Sequence, residues 1–158
     1  MNGLWLLAGA ASALVQPALS RATADPFLGT WQLDKTRSVI AHDPGVKSKQ
    51  FVFAPTADGV AITETLEMAT GEKSVSHLTY AYGRATPQTG PGFDSFTVER
   101  TDDRTAIWTV QKAGVTLSRL EVVLSPDGRQ MTFRYLFAAS DPTGRTANDR
   151  YVYVRQPA

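Results

Sequence analysis

VTLSRLEVVLSPDGRQMTFRYLF, residues 115–137, decides the fold. In its second half Met131, Phe133, Tyr135 and Phe137 keep step at every other position. That period puts them on one face of a β-strand rather than on one stripe of a helix. Val115 to Leu124 is a second strand-like run rich in β-branched and aliphatic residues. Between the two lies Ser125-Pro126-Asp127-Gly128, where proline presets one turn dihedral and glycine accepts the left-handed one. Two alternating runs around such a turn predict a β-hairpin.

The same reading extends outward in both directions. Upstream, Thr105 to Gln111 alternates Ala106, Trp108 and Val110 with Ile107 and Thr109, and Lys112-Ala113-Gly114 turns it into the hairpin. Phe93 to Arg100 carries Phe96 and Val98 on one face and turns at Asp102-Asp103. Lys73 to Tyr82 aligns Leu78, Tyr80 and Tyr82 against Val75, His77 and Ala81, and the proline- and glycine-rich segment Gly83 to Gly92 reads as a loop. Val60 to Met68 places Val60, Ile62, Leu66 and Met68 on one face, interrupted by Glu64. Lys49 to Ala54 pairs Phe51 with Phe53, and Gly29 to Leu33 is a short strand centred on Trp31. Asp34 to Lys47 is polar and turn-rich, with room for at most one helical turn. Downstream, a loop from Ala138 to Asn148 leads to a last strand, Arg150 to Arg155. No segment after residue 25 repeats with the helical period. About nine short strands joined mostly by hairpin-sized turns predict an all-β fold, a single antiparallel up-and-down β-barrel of about eight to ten strands.

Composition narrows the class. The chain has 158 residues, no cysteine and a formal net charge of +1. One domain fits this length, thiol chemistry and disulfides are excluded, and a nucleic-acid partner is disfavoured by the lack of a basic excess. Leu4 to Val15 is an apolar run too short to span a bilayer, which takes about 20 residues. Ala22-Thr23-Ala24 then forms an A-x-A pattern before Asp25. This is the layout of a cleaved secretory leader over residues 1–24, although no Lys or Arg precedes the apolar run. Removal takes Arg21 away, leaving residues 25–158 as the barrel domain with 15 basic against 15 acidic side chains. The expected location is the periplasm or the cell exterior, with no transmembrane segment in the mature chain.

Several motifs resemble a known superfamily. Phe27-Leu28-Gly29-Thr30-Trp31 is similar to the opening strand of the calycins, the lipocalin and fatty-acid-binding superfamily. Gly29-Thr30-Trp31, Ser125-Pro126-Asp127-Gly128 and Val152-Tyr153-Val154-Arg155-Gln156 together resemble small exported bacterial lipocalin-like proteins. The resemblance implies that Trp31 closes one end of the barrel with a basic residue over its ring, Arg155 by position and Arg150 as second choice. Gly29 would allow the close approach there. Two family features are not matched. Asp34 to Lys47 is too short for the helical lid of fatty-acid-binding proteins. Tyr153 has Tyr151, not arginine, at the place of their carboxylate-holding pair, with Arg150 one residue off and so on the other face.

A barrel of this size either fills with side chains or holds one small molecule. The first reading is therefore a binder of a small hydrophobic molecule, with no cofactor and no metal, and Tyr80, Tyr82, Trp108, Tyr151 and Tyr153 are its candidate contacts. Glu64, Arg119, Glu121 and Arg134 interrupt otherwise apolar or small-residue patterns. Facing inward they would orient a ligand headgroup, which adds Arg119 to the candidate contacts. Facing outward they form cross-strand ion pairs, which the cost of burying charge favours. Arg119 and Glu121 share a face and go in or out together. The alternatives are an isomerase or cyclase using His77 or a buried carboxylate as acid/base, and a filled barrel acting as an interaction module. His77 is a weak catalytic candidate, since a lone strand histidine is commonly a surface residue. His42 and His77 supply no recognisable metal-ligand set. The sequence leaves the oligomeric state open.

Overall fold

The alternating runs all become strands. A computed structural model describes residues 24–41, 45–89, 92–140 and 149–158. It contains β1 (Gly29–Leu33), β2 (Val46–Pro55), β3 (Val60–Met68), β4 (Lys73–Tyr80), β5 (Thr86–Pro87), β6 (Ser95–Asp102), β7 (Thr105–Lys112), β8 (Val115–Leu124), β9 (Gln130–Ala138) and β10 (Arg150–Arg155). Every ladder is antiparallel, and the order around the sheet is β4-β3-β2-β1-β10-β9-β8-β7-β6-β5. Apart from β4 and β5, each strand thus pairs with its sequence neighbour, and β1 joins the two halves by pairing with β10, with Trp31 opposite Arg155. The result is the expected all-β barrel, nearly closed. Among the described residues no helix stands between β1 and β2. The expected leader, residues 1–24, lies outside the described residues except for Ala24, and His42 lies outside them too.

The seam falls between β4 and the β5–β6 edge. No regular ladder crosses it. The parallel bridge between Tyr82 and Val98 ties the two sides. The Gln88 carboxamide adds to it by imitating a strand backbone: its Nε2 donates to the Thr79 carbonyl at 2.7 Å and its Oε1 accepts from the Thr79 N–H at 3.2 Å. β5 lies inside the segment read as a loop. Two residues are too few for a periodic signal, and Pro87 can sit there because the edge needs no further donor.

Inward-facing aromatic residues build the core at mid-barrel. Phe133 lies 4.9 Å from both Trp108 and Tyr153, centroid to centroid, and Phe51 lies 5.4 Å from Phe133. Trp31, Ile62, Phe96, Val98, Val122, Leu124 and Met131 are fully buried around them.

One expectation fails instructively. Phe137 does not continue the face of Met131, Phe133 and Tyr135. A bulge leaves Leu136 without a partner, since Arg119 pairs with Phe137 while Leu120 pairs with Tyr135. The extra residue reverses the alternation. Phe137 is consequently 48% exposed and the small Ala138 turns inward at 7%. A second irregularity leaves Leu117 unpaired, since Val110 faces Ser118 while Gln111 faces Thr116. Both bulges lie at the same end of the barrel.

Candidate functional site

The two ends of the barrel differ, and the sequence explains why. At one end the Arg155 guanidinium sits 4.1 Å from the Trp31 ring centroid. It donates to the carbonyls of Gly128 at 2.8 Å, Pro26 at 2.6 Å and Leu28 at 2.5 Å. Trp31 Nε1 donates to the Phe27 carbonyl at 2.9 Å. Gly29 makes room: its φ is +124°, and a Cβ there would come within 2.8 Å of Arg155 Nη1. Partial burial pulls the Arg155 pKa down from its ordinary value, as expected for a cation taken out of water. Beside this plug, Asp25 accepts from the Tyr82 hydroxyl at 2.7 Å and pairs with Arg100 at 3.3 Å. Arg100 also lies 5.5 Å from the Phe27 ring and 5.1 Å from the Tyr82 ring. Burial pushes the Tyr82 phenol up to about 12 and the Tyr80 phenol higher still. This end is closed by cation–π contacts and hydrogen bonds.

At the opposite end lies a cavity of about 520 Å³. Val46, Leu66, Leu78, Phe93, Val110 and Leu117 form much of its apolar wall, and Phe51, Phe96, Trp108 and Phe133 form its base. Both bulges contribute: Leu117 and Ala138 line the wall where regular alternation would have placed other residues. A volume of this order lies within the ordinary range for small-molecule sites, roughly 300–1,000 Å³.

Two charged side chains line this space among the described residues, Lys49 and Glu64. They stand on adjacent strands, since Phe51 pairs with Glu64 and Lys49 with Leu66. Lys49 Nζ approaches Glu64 Oε1 to 3.2 Å and lies 5.2 Å from the Phe51 ring centroid. Their side chains keep only 22% and 23% of their exposure, so each charge depends on the other for much of its stabilisation. Tyr135, Tyr151, Ser118 and Ser140 add neutral hydroxyls to the wall. Deeper in, Tyr153 is completely enclosed, and its phenol is pushed well up, first by burial and then by the negative Glu64.

The sequence candidates divide between these places. Trp108 and Tyr151 line the cavity, and Tyr153 packs in the core beside it. Tyr80 and Tyr82 do not reach the cavity; they belong to the closed end, with their hydroxyls 3.4 Å apart. Arg119 is a correction: it is exposed on the outer face and does not line the cavity, because β8 turns Ser118 and Leu120 inward on either side of it. Glu121 shares that outer face and pairs with Arg134 at 2.8 Å. Of the four interrupting charges, Glu64 alone points inward. His77 is exposed on the outer face, with Nδ1 3.3 Å from Thr63 Oγ1, so it faces no substrate space. Gly29, Trp31 and Arg155 meet at the closed end. Lys49 is the residue that sequence reasoning missed. Its signal was present: Lys49 keeps step with the inward Phe51 and Phe53.

No protein family and no curated protein matches this sequence. Solved structures do match its shape. The fluorescent protein UnaG, wild type, is 9% identical with a TM-score of 0.54, over 82% of this chain and 97% of that one. A Schistosoma mansoni fatty acid binding protein in complex with arachidonic acid is 12% identical with a TM-score of 0.53, over 84% and 97%. Apo Caenorhabditis elegans lipid binding protein 8 is 10% identical with a TM-score of 0.55, over 87% and 100%. At such identities the likeness establishes the fold alone, an antiparallel β-barrel.

Proposed function

We propose that this chain is an exported, lipocalin-like binding protein that carries or senses a small hydrophobic molecule held in the open end of its barrel. One observation carries the reading: the interior is not filled. A 520 Å³ space walled by aliphatic and aromatic side chains remains above the aromatic core. Burying an apolar ligand there gains about 25 cal/mol per Å² of surface removed from water. Lipid- and fatty-acid-binding proteins among the structural neighbours support the same class of ligand. Export is supported by the apolar run Leu4 to Val15 and the A-x-A pattern before Asp25. Catalysis is the weaker reading. Its histidine faces solvent, and the carboxylate that does face the cavity is held by Lys49.

Two measurements test the proposal. Mass spectrometry of protein gently purified from cells expressing the full chain is expected to find a co-purifying apolar compound and an N-terminus at Asp25. A panel of apolar compounds that all fail to displace an environment-sensitive dye, together with no co-purifying compound, refutes ligand binding. An intact leader in the exported fraction refutes the cleavage site.

A further inference from the structure

We propose that the cavity selects ligands with an uncharged polar head, an alcohol, ester or amide, over the carboxylate of the same chain. This rests on the ligand-binding reading above and specifies its chemistry. Among the described residues the cation on this wall is Lys49, and it is already engaged by Glu64 at 3.2 Å. The paired charges of the described wall sum to zero. A carboxylate docking on Lys49 must therefore either displace Glu64 or sit within a few ångströms of it. Displacement strands a half-buried carboxylate, and coexistence places two like charges within a few ångströms of each other. At such range a like charge shifts a carboxyl pKa by about one unit or more, equivalent to about a tenfold loss in affinity for the ionised form. A neutral head meets no such opposition. It accepts from the ammonium or donates to Glu64 without breaking the pair, and Ser118 and Ser140 add hydroxyl side chains to the wall. Glu64 thus acts as the specificity-determining residue by occupying Lys49.

The test uses dodecanol and dodecanoate as probes against the full-length chain at neutral pH, by displacement of an environment-sensitive dye. Dodecanol is expected to bind at least about tenfold more tightly than dodecanoate. Glu64→Gln frees Lys49 while keeping the shape, and is expected to raise dodecanoate affinity about tenfold and so to shrink the preference for the alcohol. A wild-type measurement guards against a variant that misfolds. Lowering the pH protonates the dodecanoate head, so the preference for the alcohol should shrink; the titratable groups facing that head on the described wall are Lys49, Glu64 and the phenols of Tyr135 and Tyr151. Equal affinities in the wild type, or a folded Glu64→Gln with the wild-type ratio, overturn the selectivity. Failure of both probes while other apolar compounds bind overturns it as well and leaves the binding reading standing. Failure of every compound overturns both.

Discussion

The plug at the closed end makes a quantitative prediction about two residues acting together. Arg155→Ala removes a stacked guanidinium 4.1 Å from the Trp31 ring centroid, a contact of about 1–2 kcal/mol in a partly desolvated setting. It also removes three hydrogen bonds to the carbonyls of Pro26, Leu28 and Gly128. Charge-assisted bonds contribute about 1.5–3 kcal/mol each when buried. Arg155 is only half-buried and water replaces part of the loss, so about 0.5–1 kcal/mol each is a fairer figure. The expected destabilisation is about 3–4 kcal/mol, a large share of a stability of about 5–15 kcal/mol. Gly29→Ala forces a side chain into a conformation at φ +124° and drives its Cβ into Arg155 Nη1. The first effect costs about 1–3 kcal/mol wherever it occurs. The second exists only while Arg155 is present, and adds about 1–2 kcal/mol by pushing the guanidinium off its partners. The double variant should therefore lose about 1–2 kcal/mol less than the sum of the single variants. Urea unfolding of the four proteins, read at constant m-value, measures this coupling. Additivity within about 0.5 kcal/mol refutes the reasoning, because it would mean that glycine is needed at position 29 for its backbone alone.

Three further predictions follow from the same geometry. Burial holds the phenols of Tyr80, Tyr82 and Tyr153 above their ordinary value, so the folded state keeps their protons longer than the unfolded chain. Their contribution is complete below the unfolded pKa of about 10 and is lost as pH rises through the folded values; an ultraviolet titration at about pH 11 should leave these phenols un-ionised until the protein unfolds, with the melting temperature falling over that range. Ala138→Phe places a large ring in the cavity at the position the β9 bulge leaves small, and should reduce affinity for any apolar ligand by about tenfold or more at a stability cost of about 1–3 kcal/mol, measured by dye displacement and thermal melting. Ala113 holds a left-handed φ of 49° next to Gly114 in the β7–β8 turn, so Ala113→Asn should stabilise the fold by about 1 kcal/mol in urea unfolding, since asparagine tolerates that conformation and suits a two-residue hairpin turn.

Alternation and turn chemistry, both local, determined the barrel. Trp108, Phe133 and Ile62 stand inside because their neighbours in the chain alternate, and the hairpin at Ser125 to Gly128 is written in its own residues. The pairing of Trp31 with Arg155 was expected from the family resemblance, with Arg150 as second choice, and the antiparallel ladder of β1 with β10 sets Trp31 opposite Arg155. The inward Lys49 was legible in principle, through its step with Phe51 and Phe53, although its partner Glu64 lies on another strand. Tertiary structure alone decided whether the barrel would be filled. Had β9 continued without a bulge, Phe137 would have faced inward beside Tyr135 and taken up part of the space that Ala138 now leaves open. A bulge depends on how two strands settle against each other over their whole length, and a single extra residue reverses every side chain beyond it. The residues of one strand do not record that slip, so the sequence determined a barrel and the packing of β7, β8 and β9 determined that it has an interior to offer.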